Sequence, residues 1–141
     1  MIRGINHVGI CVASLERSIS FYCGLLGMQL VARESFAGAQ YESILALEGA
    51  RGDVALLKSE SLRLELFEFA HPRTEVTDSH YRVSRQGITH FCFVVDDVRR
   101  EYARLSDSGV VFHCAPKCFD TTWATYGRDP DGNVFEMMEI S

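Results

Sequence analysis

The sequence predicts an α+β fold built from two βαβββ modules, and three observations lead there. A short apolar stretch with a histidine near its start occurs twice, at Ile5-Asn6-His7 and at Ile88-Thr89-His90. Each copy runs into residues with helical spacing. Each half then closes on the same kind of strand, Leu64-Glu65-Leu66-Phe67-Glu68-Phe69 and Phe135-Glu136-Met137-Met138-Glu139-Ile140. The repetition is one of pattern, not of aligned identities.

The elements follow in order. The first apolar stretch continues to Val12. Ser14 is a suitable N-cap for a helix in which Leu15, Ile19, Tyr22 and Leu26 share a face, and Gly27 ends it. Strands are expected over Met28–Phe36, within Tyr41–Leu47, over Asp53–Lys58 and over Leu62–Phe69. The stretch from Ala70 to Gly87 is polar and aperiodic and reads as one long connection, a length that is uncommon unless functional. In the second half, FCFVVDD forms the opening strand. Asp97 then caps a helix carrying Val98, Tyr102 and Leu105, which Gly109 stops. Strands follow over Val110–Ala115, Trp123–Arg128 and Asn133–Ile140, the last two joined by the turn Asp129-Pro130-Asp131-Gly132. Module 1 thus covers about residues 1–69, the connection about 70–86 and module 2 about 87–141, within a single domain.

Composition narrows the function classes. The chain has 141 residues, is 47% hydrophobic and 23% charged, and carries a net charge of −5, ordinary values for a globular protein. No basic stripe suits nucleic acid, and no apolar run approaches the ~20 residues needed to span a bilayer. The start MIRGINHVGI lacks the apolar core and cleavage site of a signal peptide, so a cytoplasmic location is expected. The five cysteines (Cys11, Cys23, Cys92, Cys114 and Cys118) form no CxxC pair, and Cys114-x3-Cys118 lacks a second thiol pair for zinc. Most of them read as small core residues in a reducing cytoplasm.

Strand parity singles out four residues. Glu65 shares a face with Phe67 and Phe69, while Glu68 faces the other way with Leu64 and Leu66. Likewise Glu136 goes with Met138 and Ile140, and Glu139 with Phe135 and Met137. A carboxylate among apolar neighbours on an inward face is costly unless paired or bound to a metal. Taken singly, His7 and His90 read as hydrogen-bonded core residues and the glutamates as solvent-facing. Their equivalent placement in both copies favours a shared role: two imidazoles and two carboxylates form an N2O2 set suited to Ni, Co, Zn, Mn or Fe.

The segments INHVGICVASLERSISFYCGLLGM, LRLELFEF, GITHFCFVVDDV and YGRDPDGNVFEMMEI resemble the vicinal oxygen chelate superfamily. That superfamily contains glyoxalase I, methylmalonyl-CoA epimerase, extradiol ring-cleaving dioxygenases and antibiotic-resistance proteins. The resemblance rests on H-x-G-x-x-V-x-x-L-x-x-S-x-x-F-Y from His7, on G-I-x-H ending at His90, and on D-P-D-G-N-x-x-E ending at Glu136. It implies two βαβββ modules forming curled mixed sheets around a metal-containing cleft, with His7, Glu65, His90 and Glu136 as metal ligands. It also implies one divalent metal per site, a small-molecule substrate with adjacent oxygens, and a homodimer whose partner covers open sheet edges.

The activity implied is of glyoxalase I type, a lyase or isomerase that moves a proton at the carbon beside a metal-chelated oxygen. Glu136 is the first candidate for the base and Glu65 the second. Tyr126 lies ten residues before Glu136, where ring-cleaving dioxygenases place an active-site tyrosine; packing on a strand is the plainer reading. Phe67-Glu68-Phe69-Ala70-His71-Pro72 replaces the T-x-N-W-like stretch of bacterial glyoxalases, so a glutathione site is not carried over. An extradiol-type dioxygenase, an epimerase and a metal-free drug-binding protein remain the alternatives. Arg33 is a candidate for a substrate carboxylate, and Lys117 and Trp123 for a lid or pocket wall. His71, His80 and His113 have no repeat partner and read as surface or loop residues.

Overall fold

The computed structural model describes residues 1–140. These fall in two compact units that divide between Val76 and Thr77. In the first, β1 (Val8–Cys11) is followed by α1 (Leu15–Ile19), β2 (Gln29–Ala37), α2 (Ala39–Leu45), β3 (Arg51–Lys58) and β4 (Arg63–His71). The sheet order is β1-β4-β3-β2, with β1 parallel to β4 and the other pairs antiparallel.

Ser14 caps α1 as expected, its hydroxyl accepting from the Arg17 amide. The helix does not stay α-helical to Leu26. From Ser20 to Leu25 it widens, so that the Leu26 amide bonds back five residues to the Phe21 carbonyl. Gly27 then takes φ 74°, a left-handed turn that ends it. Leu15 and Tyr22 from this segment lie fully buried with Ala55, Leu57, Leu64 and Leu66, the residues of one sheet face. Glu65 lies on the opposite face.

The strand expected within Tyr41–Leu47 is instead the helix α2. The run Ala39-Gln40-Tyr41-Glu42-Ser43-Ile44-Leu45 is mostly good helix formers, and Gly38 at φ 103° turns the chain out of β2 just before it. Tyr41 packs its ring 5.3 Å from that of Phe36.

The second unit repeats the plan with β5 (Phe91–Val94), α3 (Val98–Asp107), β6 (Val111–Phe112), β7 (Lys117–Phe119), β8 (Thr122–Arg128) and β9 (Val134–Ile140). The order is β5-β9-β8-β6, with β5 parallel to β9 and β7 also paired to β8. The single strand expected over Val110–Ala115 is thus cut short. β6 meets the end of β8 at Gly127 and Arg128, whereas β7, beyond Pro116, meets its beginning. Proline has no amide hydrogen to give a ladder, which suits it to the break. Phe135, Met137, Val98 and Leu105 form the buried layer under α3. Gly127 has to be glycine there, because a Cβ would stand 2.6 Å from the Phe135 ring.

Part of the long connection is fastened to the second unit. Arg128 donates to the carbonyls of Tyr81 (2.7 Å) and Gly132 (2.8 Å), and its guanidinium lies 5.0 Å from the Tyr81 ring centre. Gly132 sits against the Ser79 backbone, where a Cβ would come within 2.2 Å of a carbonyl oxygen.

Candidate metal centre

The ladder register places the predicted histidine and glutamate in the same way in each unit. Gly9 of β1 is level with Glu65 of β4, and Cys92 of β5 is level with Glu136 of β9. Each histidine precedes that level by two residues, which turns it to the same face. His7 Nε2 stands 3.2 Å from Glu65 Oε2, and His90 Nε2 stands 3.0 Å from Glu136 Oε2.

The other ring nitrogen is also engaged in both halves. His7 Nδ1 lies 3.0 Å from Asn6 Oδ1, and His90 Nδ1 lies 2.9 Å from Thr89 Oγ1. In both units Nε2 faces a carboxylate oxygen, an arrangement that a cation between the two, a proton or a metal, would satisfy. Metal fits the spacing as well: two ligands about 2.1 Å from one ion and at right angles stand about 3.0 Å apart. Among the described residues no three His, Cys, Asp or Glu side chains gather as a metal-holding group, so the ligands foreseen from the sequence stand as two pairs.

The remaining carboxylates of the two closing strands have a different task. Glu68 Oε2 accepts the Leu15 amide at 2.6 Å, and Glu139 Oε2 accepts the Val98 amide at 2.9 Å. Each satisfies the first turn of its unit's helix and places negative charge at the helix N-terminus. These two glutamates do not point to open solvent. They share a face with Leu64 and Leu66, and with Phe135 and Met137, and the start of a helix lies within reach there.

The surroundings of the two pairs differ. Opposite Glu65 on β3 is Leu56, whereas opposite Glu136 on β8 is Tyr126. The Tyr126 hydroxyl is 3.4 Å from His90 Nε2, and the two rings are 4.6 Å apart. Burial, with Glu136 and Cys92 nearby, raises the Tyr126 pKa and keeps the phenol protonated. Burial and the adjacent Glu136 push the Cys92 thiol up to about 12.

A cavity of about 350 Å³ opens beside this second pair, lined by His113, Lys117, Phe119, Tyr126 and Glu136 among others. His113 is therefore part of the site's surroundings rather than a bystander, its ring 6.0 Å from that of Tyr126. Burial, then the charge of Arg128, lowers its pKa and favours the neutral ring. Lys117 does line the wall. Trp123 does not: it is level with Glu139 on the helix side, under the Arg99 guanidinium at 4.6 Å. Arg33 is no substrate anchor either, being paired with Glu16 of α1.

Comparison with known proteins identifies the family. The chain is 27% identical over 143 residues to a lactoylglutathione lyase of Schizosaccharomyces pombe, a match covering 97% of this chain and 47% of that protein, so it spans about half the relative's length. It is 30% identical over 146 residues to a lactoylglutathione lyase of Pseudomonas aeruginosa, covering 96% of this chain and 82% of the relative. A solved glyoxalase family protein from Bacillus cereus superposes with a TM-score of 0.90 at 22% identity, covering 99% and 95% of the two chains, which shows a shared fold. Residues 4–137, which include both His–Glu pairs, match one family throughout. With its two repeated modules and a histidine–glutamate pair in each, the chain belongs to the Glyoxalase/Bleomycin resistance protein/Dioxygenase superfamily.

Proposed function

We propose that this protein is a divalent-metal-dependent lyase or isomerase of glyoxalase I type, acting on a small molecule with two adjacent oxygens. The observation that carries the reading is the His–Glu pair, repeated at the same ladder register with Nε2 facing Oε2 in both units. One pair of each kind, His7 with Glu65 and His90 with Glu136, would together hold the ion. Ni, Co, Zn, Mn and Fe all suit two imidazoles and two carboxylates. A metal bound there would polarise the substrate's oxygens and stabilise negative charge developing on them.

The chain's own groups supply the rest. Glu136 is the leading base for the carbon-bound proton, with Glu65 as the second candidate for that role. The protonated Tyr126 hydroxyl beside His90 is placed to donate to a substrate oxygen as charge builds on it. β1 and β5 are edge strands, each paired on one side within its sheet, and a homodimer would give such edges cover. Among the described residues no helix is long and apolar enough to cross a membrane. The cysteines are not the core residues the sequence suggested: Cys11, Cys114 and Cys118 are exposed, and Cys23 and Cys92 are half-buried.

Tyr126 gives substance to a second reading, an extradiol-type dioxygenase, because a protonated phenol beside a ligand histidine also suits ring-cleavage chemistry. The deciding experiment compares turnover of a hemithioacetal without oxygen against oxygen uptake with catechols. Anaerobic turnover supports the lyase reading. Oxygen uptake with catechols, and none with hemithioacetals, replaces it with the dioxygenase.

A further inference from the structure

The hairpin joining β3 to β4 ends on two cations that nothing in its unit neutralises. Lys58 and Arg63 are directly paired across the antiparallel ladder, a placement in which like charges repel. Among the described residues neither lies within ion-pair distance of a carboxylate. Gln29 of β2 is level with Lys58, so Gln29, Lys58 and Arg63 make one polar row over three strands. With Asn6 and Ser61 they line a cavity of about 740 Å³, whose single carboxylate is Glu60 at the hairpin tip. That volume lies in the range of small-molecule sites. The hairpin is braced by the Ser59 amide donating to the Leu62 carbonyl at 2.8 Å.

We propose that this cavity binds the phosphoryl group of a small-molecule ligand between Lys58 and Arg63. An arginine fork meets two oxygens of such a group side by side, and a lysine adds a point charge. A dianion offsets both cations, where a carboxylate offsets one. The amides of Asn6 and Gln29 and the Ser61 hydroxyl supply donors for the remaining oxygen. Arg63 and Glu65 share a strand face one repeat apart, about 7 Å along the strand, so a ligand anchored here can extend toward the His7–Glu65 pair. The site uses none of the proposed metal ligands and goes beyond the lyase reading.

The test is a titration of the metal-free full chain with inorganic phosphate at low ionic strength, followed through backbone amide NMR shifts, with acetate in parallel. Saturable shifts at Gln29 and along Lys58–Arg63 are expected, with acetate at least tenfold weaker. Arg63→Gln should weaken phosphate tenfold or more, and Glu60→Gln should tighten it several-fold by removing the rim carboxylate. Shifts that do not saturate overturn the proposal. So does acetate binding as tightly as phosphate, or an Arg63→Gln chain with the wild-type amide spectrum and undiminished phosphate affinity.

Discussion

Cys92 stands directly across the parallel β5–β9 ladder from Glu136, in the place that Gly9 holds opposite Glu65. The two proposed carboxylate ligands therefore differ in kind. Glu136 faces a thiol and a phenol and is 17% exposed, while Glu65 stands between Gly9 and Leu56 and is 30% exposed. Negative charge beside the thiol holds its proton in place.

That relationship sets a reactivity order. With its pKa pushed up from 9.0 to about 12, Cys92 carries roughly a thousandth of the thiolate of an ordinary cysteine near neutral pH. In metal-free protein at pH 8, iodoacetamide should alkylate the exposed Cys114 and Cys118 at least about a hundredfold faster than Cys92. Peptide mass spectrometry over time reads the order. Glu136→Gln removes the neighbouring charge, so the Cys92 pKa falls and its alkylation accelerates. Equal rates at Cys92 and Cys118 in the wild type would refute the burial and charge effects.

The carboxylates on the helix-covered faces act on stability instead. Glu68→Ala and Glu139→Ala each leave a first-turn amide without its acceptor, at a cost of about 1 kcal/mol. Urea denaturation should show that loss with an unchanged slope. Glu65→Ala, by contrast, should impair metal uptake. If Glu68→Ala were to lose metal while keeping full stability, the division of labour between the two faces would be wrong.

Asn6 and Thr89 hold the rings of the two proposed histidine ligands, and partners of this kind are typically worth 10- to 100-fold in metal affinity. Asn6→Leu and Thr89→Val should each weaken binding by about that factor. Competition with a chromogenic chelator measures it, and Thr89→Ser should recover most of the loss. Unaltered affinity in both variants would mean that the Nδ1 contacts leave the ligands unaffected.

Tyr126→Phe should keep metal and fold but reduce turnover by about 10- to 100-fold, because the donor beside His90 is gone. The raised pKa of the phenol adds a sign: loss of activity through its ionisation should begin only above the ordinary tyrosine value near 10. A wild-type profile falling below pH 9, with that limb absent in Tyr126→Phe, would contradict it.

Much of this arrangement was legible in the chain before any coordinates. Alternation along Leu64–Phe69 and Phe135–Ile140 separates Glu65 and Glu136 from Glu68 and Glu139, and the second histidine repeats the first. What escaped depends on contacts between elements distant in sequence. Glu68 reaches Leu15 across 53 residues, and Arg33 meets Glu16 rather than a ligand. His113 joins the site because β6 and β7 divide one strand position, bringing its ring to Tyr126. The run after Phe36 mixes strand and helix formers, and the turn at Gly38 decides for α2.

Metal stoichiometry tests the central claim most directly. After incubation with Ni, Co, Zn, Mn or Fe and removal of excess, elemental analysis should find one divalent ion per chain in the wild type. His7→Ala and His90→Ala should each lose it, since the set draws on both pairs. A wild-type chain that takes up none of these ions, or either variant retaining a full equivalent, would contradict a shared site built from His7, Glu65, His90 and Glu136.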